Sequence, residues 1–248
     1  CRMINIFIGY DPREAVAYHV CANSFIRHSS EPLAITPLAL RGLAGYSETH
    51  SDGSNQFIYS RFLLPHLMGY KGWALFVDGV MLVRDDIADL WAMRDESKAV
   101  MCVHHDYKTK METKYLGAKN ANYPRKNWSS VTLWNCGHPA NAGVTPEFVM
   151  KSTGAQLHRF TWLDDSQIGE IPKVWNWLPD EFGANKDAKL LHWTLGTPCF
   201  HEFAHAPMAE EWHREKLLTD YSLQRVIDGP FEGEKGYDEA QRKMLAAE

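Results

Sequence analysis

No apolar run in this chain approaches the ~18–20 residues that cross a bilayer, so no transmembrane helix is expected. A charged-then-apolar leader is also lacking, and a signal peptide is not expected. Basic charge is not in excess. With a formal net charge of −5 and pI near 6.2, there is no electrostatic case for a nucleic-acid partner. Cysteines are few, odd in number and far apart: Cys1, Cys21, Cys102, Cys136 and Cys199 lie mostly in apolar segments. That pattern speaks for reduced thiols in a cytoplasmic protein and against a disulfide framework. Internal repeats and low-complexity segments are absent. What is present, 248 residues of which 45% are hydrophobic and 23% charged, suits one globular domain with a substantial core.

Strand-like runs alternate with helical ones, which argues for an α/β fold with a mostly parallel sheet covered on both faces. Ile4 to Tyr10 reads as the first strand. Asp11-Pro12-Arg13-Glu14 follows as N-cap, first-turn proline and capping-box glutamate, opening a helix to about His28. Leu33 to Leu38 is a second strand, and Arg41 to Gln56 a polar loop of the kind that covers a site. Phe57 to Met68 is helical, with Pro65 as kink or stop, and Ala99 to Val103 is a further strand. Thr145-Pro146-Glu147 opens a short helix by the same cap logic. From about Glu210 an amphipathic helix precedes a turn around Gly229 to Gly236 and a last helix. One segment is locally basic, with Lys108, Lys110, Lys114, Lys119, Arg125 and Lys126, and reads as a solvated loop face before an anion-binding lid.

The most informative stretch is Trp73-Ala74-Leu75-Phe76-Val77-Asp78-Gly79-Val80-Met81-Leu82-Val83, an apolar strand that ends on a carboxylate. Open α/β sheets bind ligands at the carboxyl ends of their strands, where a carboxylate can hold a hard cation against phosphates. The plain alternative is an Asp that merely caps a turn. Together with the following Asp85-Asp86-Ile87-Ala88-Asp89-Leu90-Trp91, the segment resembles the Asp-x-Asp region of nucleotide-sugar glycosyltransferases of the GT-A fold. The likeness is to the retaining family 8 enzymes and their bacterial and viral relatives. Other pieces recur in order: Ile4 to Asp11, Tyr59-Ser60-Arg61-Phe62-Leu63-Leu64-Pro65, Asn127 to Asn135, Leu163-Asp164-Asp165-Ser166-Gln167-Ile168 and Leu190-Leu191-His192-Trp193-Thr194-Leu195-Gly196-Thr197-Pro198. One departure stands out: Val80 occupies the place of the second Asp.

The resemblance implies a single GT-A-like domain over residues 1–207, with 208–248 a helical extension packed on it. It implies transfer of a hexose from a nucleotide sugar, UDP-linked by family likeness, to a carbohydrate or glycolipid acceptor with retention, peripheral membrane contact remaining open. Gly9, Tyr10, Asp11, Arg13, Arg61, Asp78, Gly79, Val80, Ser129, Ser130 and Gly196 are then the donor-binding residues. Asp78 and His192 resemble ligands of Mn²⁺ or Mg²⁺, a site weakened, completed by water and diphosphate, or lost because Val80 cannot coordinate. Asp165, with Asp164 as alternative, is the expected catalytic carboxylate, and Asp106 and His105 are expected at the acceptor. Each has a bland alternative: a helix cap for Asp11, a helix-surface arginine for Arg61, a core histidine for His192.

Two competing functions follow from the same residues. Val80 leaves room for a catalytically silent sugar-nucleotide-binding protein. His201-Glu202-Phe203-Ala204-His205 matches the zinc-hydrolase pattern, but Pro198 and Pro207 bracket it too closely for the helix that pattern needs.

Overall fold

The computed structural model describes residues 3–219. The readings placed on 220–248, including the turn around Gly229 to Gly236 and the last helix, lie outside the described residues. β1 (Ile4–Tyr10) runs through a 3₁₀ turn (Pro12–Glu14) into α1 (Ala15–Arg27), which returns the chain to β2 (Leu33–Ala39). A loop and a 3₁₀ turn (Ser60–Leu63) lead to α2 (Leu64–Leu67), β3 (Trp73–Val77), β4 (Met81–Val83), α3 (Ile87–Ala92) and β5 (Val100–Cys102). Then come β6 (Val131–Asn135), α4 (Pro146–Lys151), α5 (Gly154–His158), β7 (Ile168–Glu170), α6 (Pro179–Phe182), β8 (Leu190–His192) and α7 (Ala209–Thr219).

Six strands form the main sheet in the order β2-β1-β3-β6-β5-β7, and β4 pairs with β8 in a small second ribbon. β1 pairs in parallel with β2 and with β3, and β5 with β7; only β6 is antiparallel to its neighbours β3 and β5. The architecture is thus the mixed α/β single domain with a mostly parallel central sheet that the alternating runs predict. Period-two alternation divides the apolar side chains between the faces. Ile4, Ile6, Ile8, Leu75 and Val77 join one buried layer, whereas Phe7, Ala74 and Phe76 join the other with Phe62 and Trp134. A third cluster, with Val20, Leu191, Trp193 and Trp212, lies where α7 packs on α1.

β1 is flanked by β2 on one side and β3 on the other, so the order reverses between β1 and β3, and a crevice opens at their carboxyl ends. Backbone meets backbone there: a Cβ on Gly79 would lie 2.2 Å from the Gly9 carbonyl oxygen. Only glycine lets the two strand tips approach this closely.

Two local expectations are corrected. Asp11 does cap the first turn, accepting from Arg13 N at 3.0 Å, but Glu14 completes no capping box. Its side chain is buried, 4% exposed, and turned toward Tyr115, whose hydroxyl lies 3.4 Å from Oε1. The helix expected over Phe57 to Met68 is a 3₁₀ turn followed by a four-residue α-helix. Pro65, lacking an N–H, cannot continue the ladder of the preceding turn.

Candidate active site

Asp78 leaves β3 at the crevice, 8% exposed. Its backbone N–H donates to Ser130 O at 3.1 Å, fixing the tip of β3 to the entry of β6. Arg61 Nη1 lies 2.6 Å from Asp78 Oδ1 in a buried ion pair, close but not aligned as a hydrogen bond. The guanidinium is anchored by carbonyls, Nε donating to Ile58 O at 3.1 Å and Nη1 to Ser129 O at 3.2 Å, and it lies over the Phe76 ring. Burial raises the Asp78 carboxyl above its ordinary 3.8, while Arg61 and Lys114 pull it the other way.

His192 ends β8, 2% exposed, with Nε2 3.5 Å from Asp78 Oδ2 and Nδ1 3.0 Å from Asn176 Oδ1. Asn176 donates its amide to Ser130 Oγ at 2.8 Å, which turns its oxygen toward the ring. Nδ1 therefore carries the proton, and the Nε2 lone pair faces Asp78. Burial holds the imidazole neutral, far below its usual range.

The cleft around Asp78 is tight, about 50 Å³, and Val80, Lys114, His192 and Gly196 line it. Val80 thus shares the cleft with Asp78 and His192. Lys114, Asn127 and Thr194 also line an adjoining pocket of about 310 Å³, together with Tyr59, Lys119 and Lys126. Asp52 stands at this pocket too, its carboxylate accepting from Tyr59 Oη at 2.5 Å.

The remaining expected residues divide. Tyr10 stands half-buried at the end of β1, edge-on to Tyr18 at 5.4 Å. Asp11 is beside it, but its oxygens are committed to Arg13 (Nη2 at 2.6 Å) and to Gln56 N at 3.1 Å. With Arg13 Nη2 also donating to Ser54 O at 2.9 Å, these residues tie the 52–56 loop to the strand tip. Ser129 and Ser130 are buried and inward: Ser129 Oγ meets His158 Nδ1 at 2.8 Å, and Ser130 Oγ donates to Asn127 O at 2.7 Å. They hold Arg61 and Asp78 through their carbonyls; neither side chain lines the cleft. Gly196 does line it, against Phe203.

The expected catalytic carboxylates are not brought to the cleft. Asp164 caps the 3₁₀ turn Asp165–Gln167, which directs both side chains outward; Asp165 is 88% exposed and paired with Arg125. At the expected acceptor position, His105 is buried with its pKa pushed down to about 3 by desolvation, and Asp106 faces solvent. The basic segment is corrected as well: Lys126 is 7% exposed and Lys114 lines both cavities, so these two are not part of a solvated face. His201 and His205 are exposed, and the backbone forms only the 3₁₀ turn His201–Phe203, so the zinc-hydrolase geometry does not form.

Asp78 and His192 are the carboxylate and imidazole that meet at the cleft, with the buried, unpartnered Asn55 Oδ1 and Thr197 Oγ1 also on its lining, and a cation between Asp78 and His192 would stand beside the Arg61 guanidinium. No group of three or more His, Cys, Asp or Glu side chains is placed to hold a metal among the described residues. With one carboxylate, a valine on the lining and an anchored guanidinium 2.6 Å from that carboxylate, the residues present do not fit a resident dication.

No protein-family model matches the chain. Over 220 residues it is 46% identical to Protein CDI of Arabidopsis thaliana, the match covering 85% of each protein. The chain belongs to the CDI family. Among the solved structures similar to this CDI-family chain are glycosyltransferases. GlyE of Streptococcus pneumoniae TIGR4 matches with a TM-score of 0.63 at 13% identity, covering 92% of this chain and 64% of that one. The galactosyltransferase LgtC, in complex with donor and acceptor sugar analogues, matches with a TM-score of 0.56 at 14% identity over 86% and 95%. The bifunctional glycosyltransferase WbbM matches at 0.51 and 17% identity, this chain spanning about half of it (51%). At such identities the likeness establishes the fold, that of GT-A-type glycosyltransferases.

Proposed function

We propose that this protein transfers a hexose from a nucleotide sugar, UDP-linked, to a carbohydrate or lipid-linked acceptor with retention, as a family-8-type enzyme. The carrying observation is the cleft at the β1–β3 switch point of a GT-A fold, where Asp78, Arg61, Lys114 and the neutral His192 converge beside a pocket large enough for sugar rings. Glycosyl transfer places new negative charge on the departing diphosphate and oxocarbenium character on the sugar. Lys114 and Arg61 supply positive charge for the first demand, and the polar wall of the larger pocket, with Asn127 and Asp52, faces the second. With Asp165 turned to solvent, no carboxylate nucleophile is assigned. A front-face route suits this better: the acceptor hydroxyl attacks on the side the diphosphate leaves, and the departing phosphate oxygen takes its proton. Cys21, Cys102, Cys136 and Cys199 are free thiols, which supports the cytoplasmic assignment. No helix among the described residues is long and apolar enough to cross a membrane.

Val80 in the cleft favours a second reading, a binding protein that holds the nucleotide sugar without transferring it. A thermal-shift panel of UDP-, GDP-, CMP- and dTDP-sugars, followed by assay of nucleotide release, separates the two. One donor is expected to raise Tm by mass action and to be turned over. Stabilisation without release supports the silent reading, and no shift with any donor overturns both.

A further inference from the structure

Building on the nucleotide-sugar reading, we propose that the donor diphosphate binds here without a divalent cation, its charge met by Arg61 and Lys114 instead. Three independent features of the cleft carry this. First, position 80 offers a valine side chain to the cavity where an oxygen ligand would be needed, so the cation loses a protein donor in place. Second, the one carboxylate that remains is already engaged. Arg61 Nη1 stands 2.6 Å from Asp78 Oδ1, and the guanidinium cannot swing away without surrendering its bonds to the carbonyls of Ile58 and Ser129. A dication placed on Asp78 would face a fixed positive charge at short range.

Third, Lys114 brings an ammonium into the same cleft. Its Nζ donates to Ser54 Oγ at 3.3 Å and makes no ion pair with a carboxylate among the described residues. Desolvating an ammonium is costly unless an anion compensates it. The backbone holds the residue in place nonetheless: Lys114 N donates to Ala118 O at 2.9 Å, and the next residue, Tyr115, donates to Leu195 O at 2.6 Å. Asp78, Arg61 and Lys114 together leave the cleft with one net positive charge before any ligand enters. A diphosphate supplies the missing anion to Lys114, and the ammonium with the neighbouring guanidinium takes over part of the charge compensation that a cation performs where two carboxylates are present.

The test is calorimetric titration of the intact protein with UDP, with GDP, CDP and dTDP as further arms, once in EDTA and once in Mn²⁺. For the diphosphate that binds, Kd is expected to change less than threefold between the two conditions. Lys114→Met is expected to weaken binding at least tenfold, and Lys114→Arg to restore most of it. A threefold or greater loss in EDTA overturns the inference while leaving the nucleotide-sugar reading intact, as does a folded Lys114→Met protein that binds less than tenfold more weakly than the wild type. Should Lys114→Met fail to fold, the wild-type EDTA comparison still decides. Absence of binding by every diphosphate in both conditions overturns the reading and the inference together.

Discussion

Glu14 is a carboxyl group with nowhere to put a charge. It is 4% exposed, one of its oxygens has no partner, and Asp11 and Asp78 both face it; burial and these two carboxylates push its pKa up to about 8. Arg13 and the Tyr115 hydroxyl oppose the shift only in part. In the unfolded chain the group titrates near its ordinary 4.5, so between that value and about 8 the folded state holds a proton the unfolded state has lost. The stabilisation is complete below 4.5 and disappears as pH rises through 8, by up to ~1.4 kcal/mol per pH unit in the window. Glu14→Gln keeps the shape and cannot ionise. Between pH 5.5 and 7.5 the variant is expected to gain about 2 kcal/mol relative to the wild type, measured by urea unfolding at both values. An unchanged difference at the two pH values would show that Glu14 is ionised in the fold. From sequence, Glu14 reads as a helix-cap residue, because nothing local reveals that the fold buries it and sets the distant Asp78 against it beside Asp11. Lys114 escapes for a similar reason: its loop reads as solvated, and only its contact with distant Ser54 and that of the next residue, Tyr115, with Leu195 bring it to the cleft. The positions of Asp78 and Val80 at the cleft are legible because they lie just past the end of an apolar strand, where the chain itself marks the turn.

At the scale of elements, the Arg61–Asp78 pair joins the 3₁₀ turn before α2 to the tip of β3, and through Ser129 to the entry of β6. Removing one member leaves the other charged, buried and unpaired, which costs about 3–5 kcal/mol, whereas removing both costs less than the sum. Arg61→Met and Asp78→Asn are therefore each expected to destabilise by that order, with the double variant recovering part of the loss in a chemical-denaturation cycle. Additive losses would mean the pair contributes no coupling and the arginine is held by its carbonyls alone. The strand and helix sequence of the first half is readable from period and caps, since β1, β3 and α1 carry strong apolar patterns. The reversed direction of β6 is not. A strand buried on both faces, as the all-buried Val131–Asn135 is, carries the same apolar run whether its neighbours are parallel or antiparallel.

For the whole molecule, the question is whether the segment beginning near residue 208 is an appendage or part of the one cooperative unit. α7 buries Trp212, 1% exposed, against Val20, Leu191 and Trp193, so it closes the core that α1 and the β4–β8 ribbon leave open. Polar contacts fix its orientation: Asn23 Nδ2 donates to Glu215 Oε1 at 2.7 Å, and Arg84 pairs with Glu211 at 2.5 Å. The half-buried ion pair is still reached by solvent and adds little; the tryptophan carries the energy. Truncating a fully buried Trp to Ala costs about 3–5 kcal/mol in transfer and cavity terms, a large share of the ~5–15 kcal/mol that holds a domain. The ribbon that α7 covers carries His192, so the loss is expected to reach the cleft. We therefore expect Trp212→Ala to lower the midpoint of a single urea transition and to weaken nucleotide binding with it. If α7 were instead an independent extension, the variant would unfold with an unchanged main transition and bind nucleotide as the wild type does.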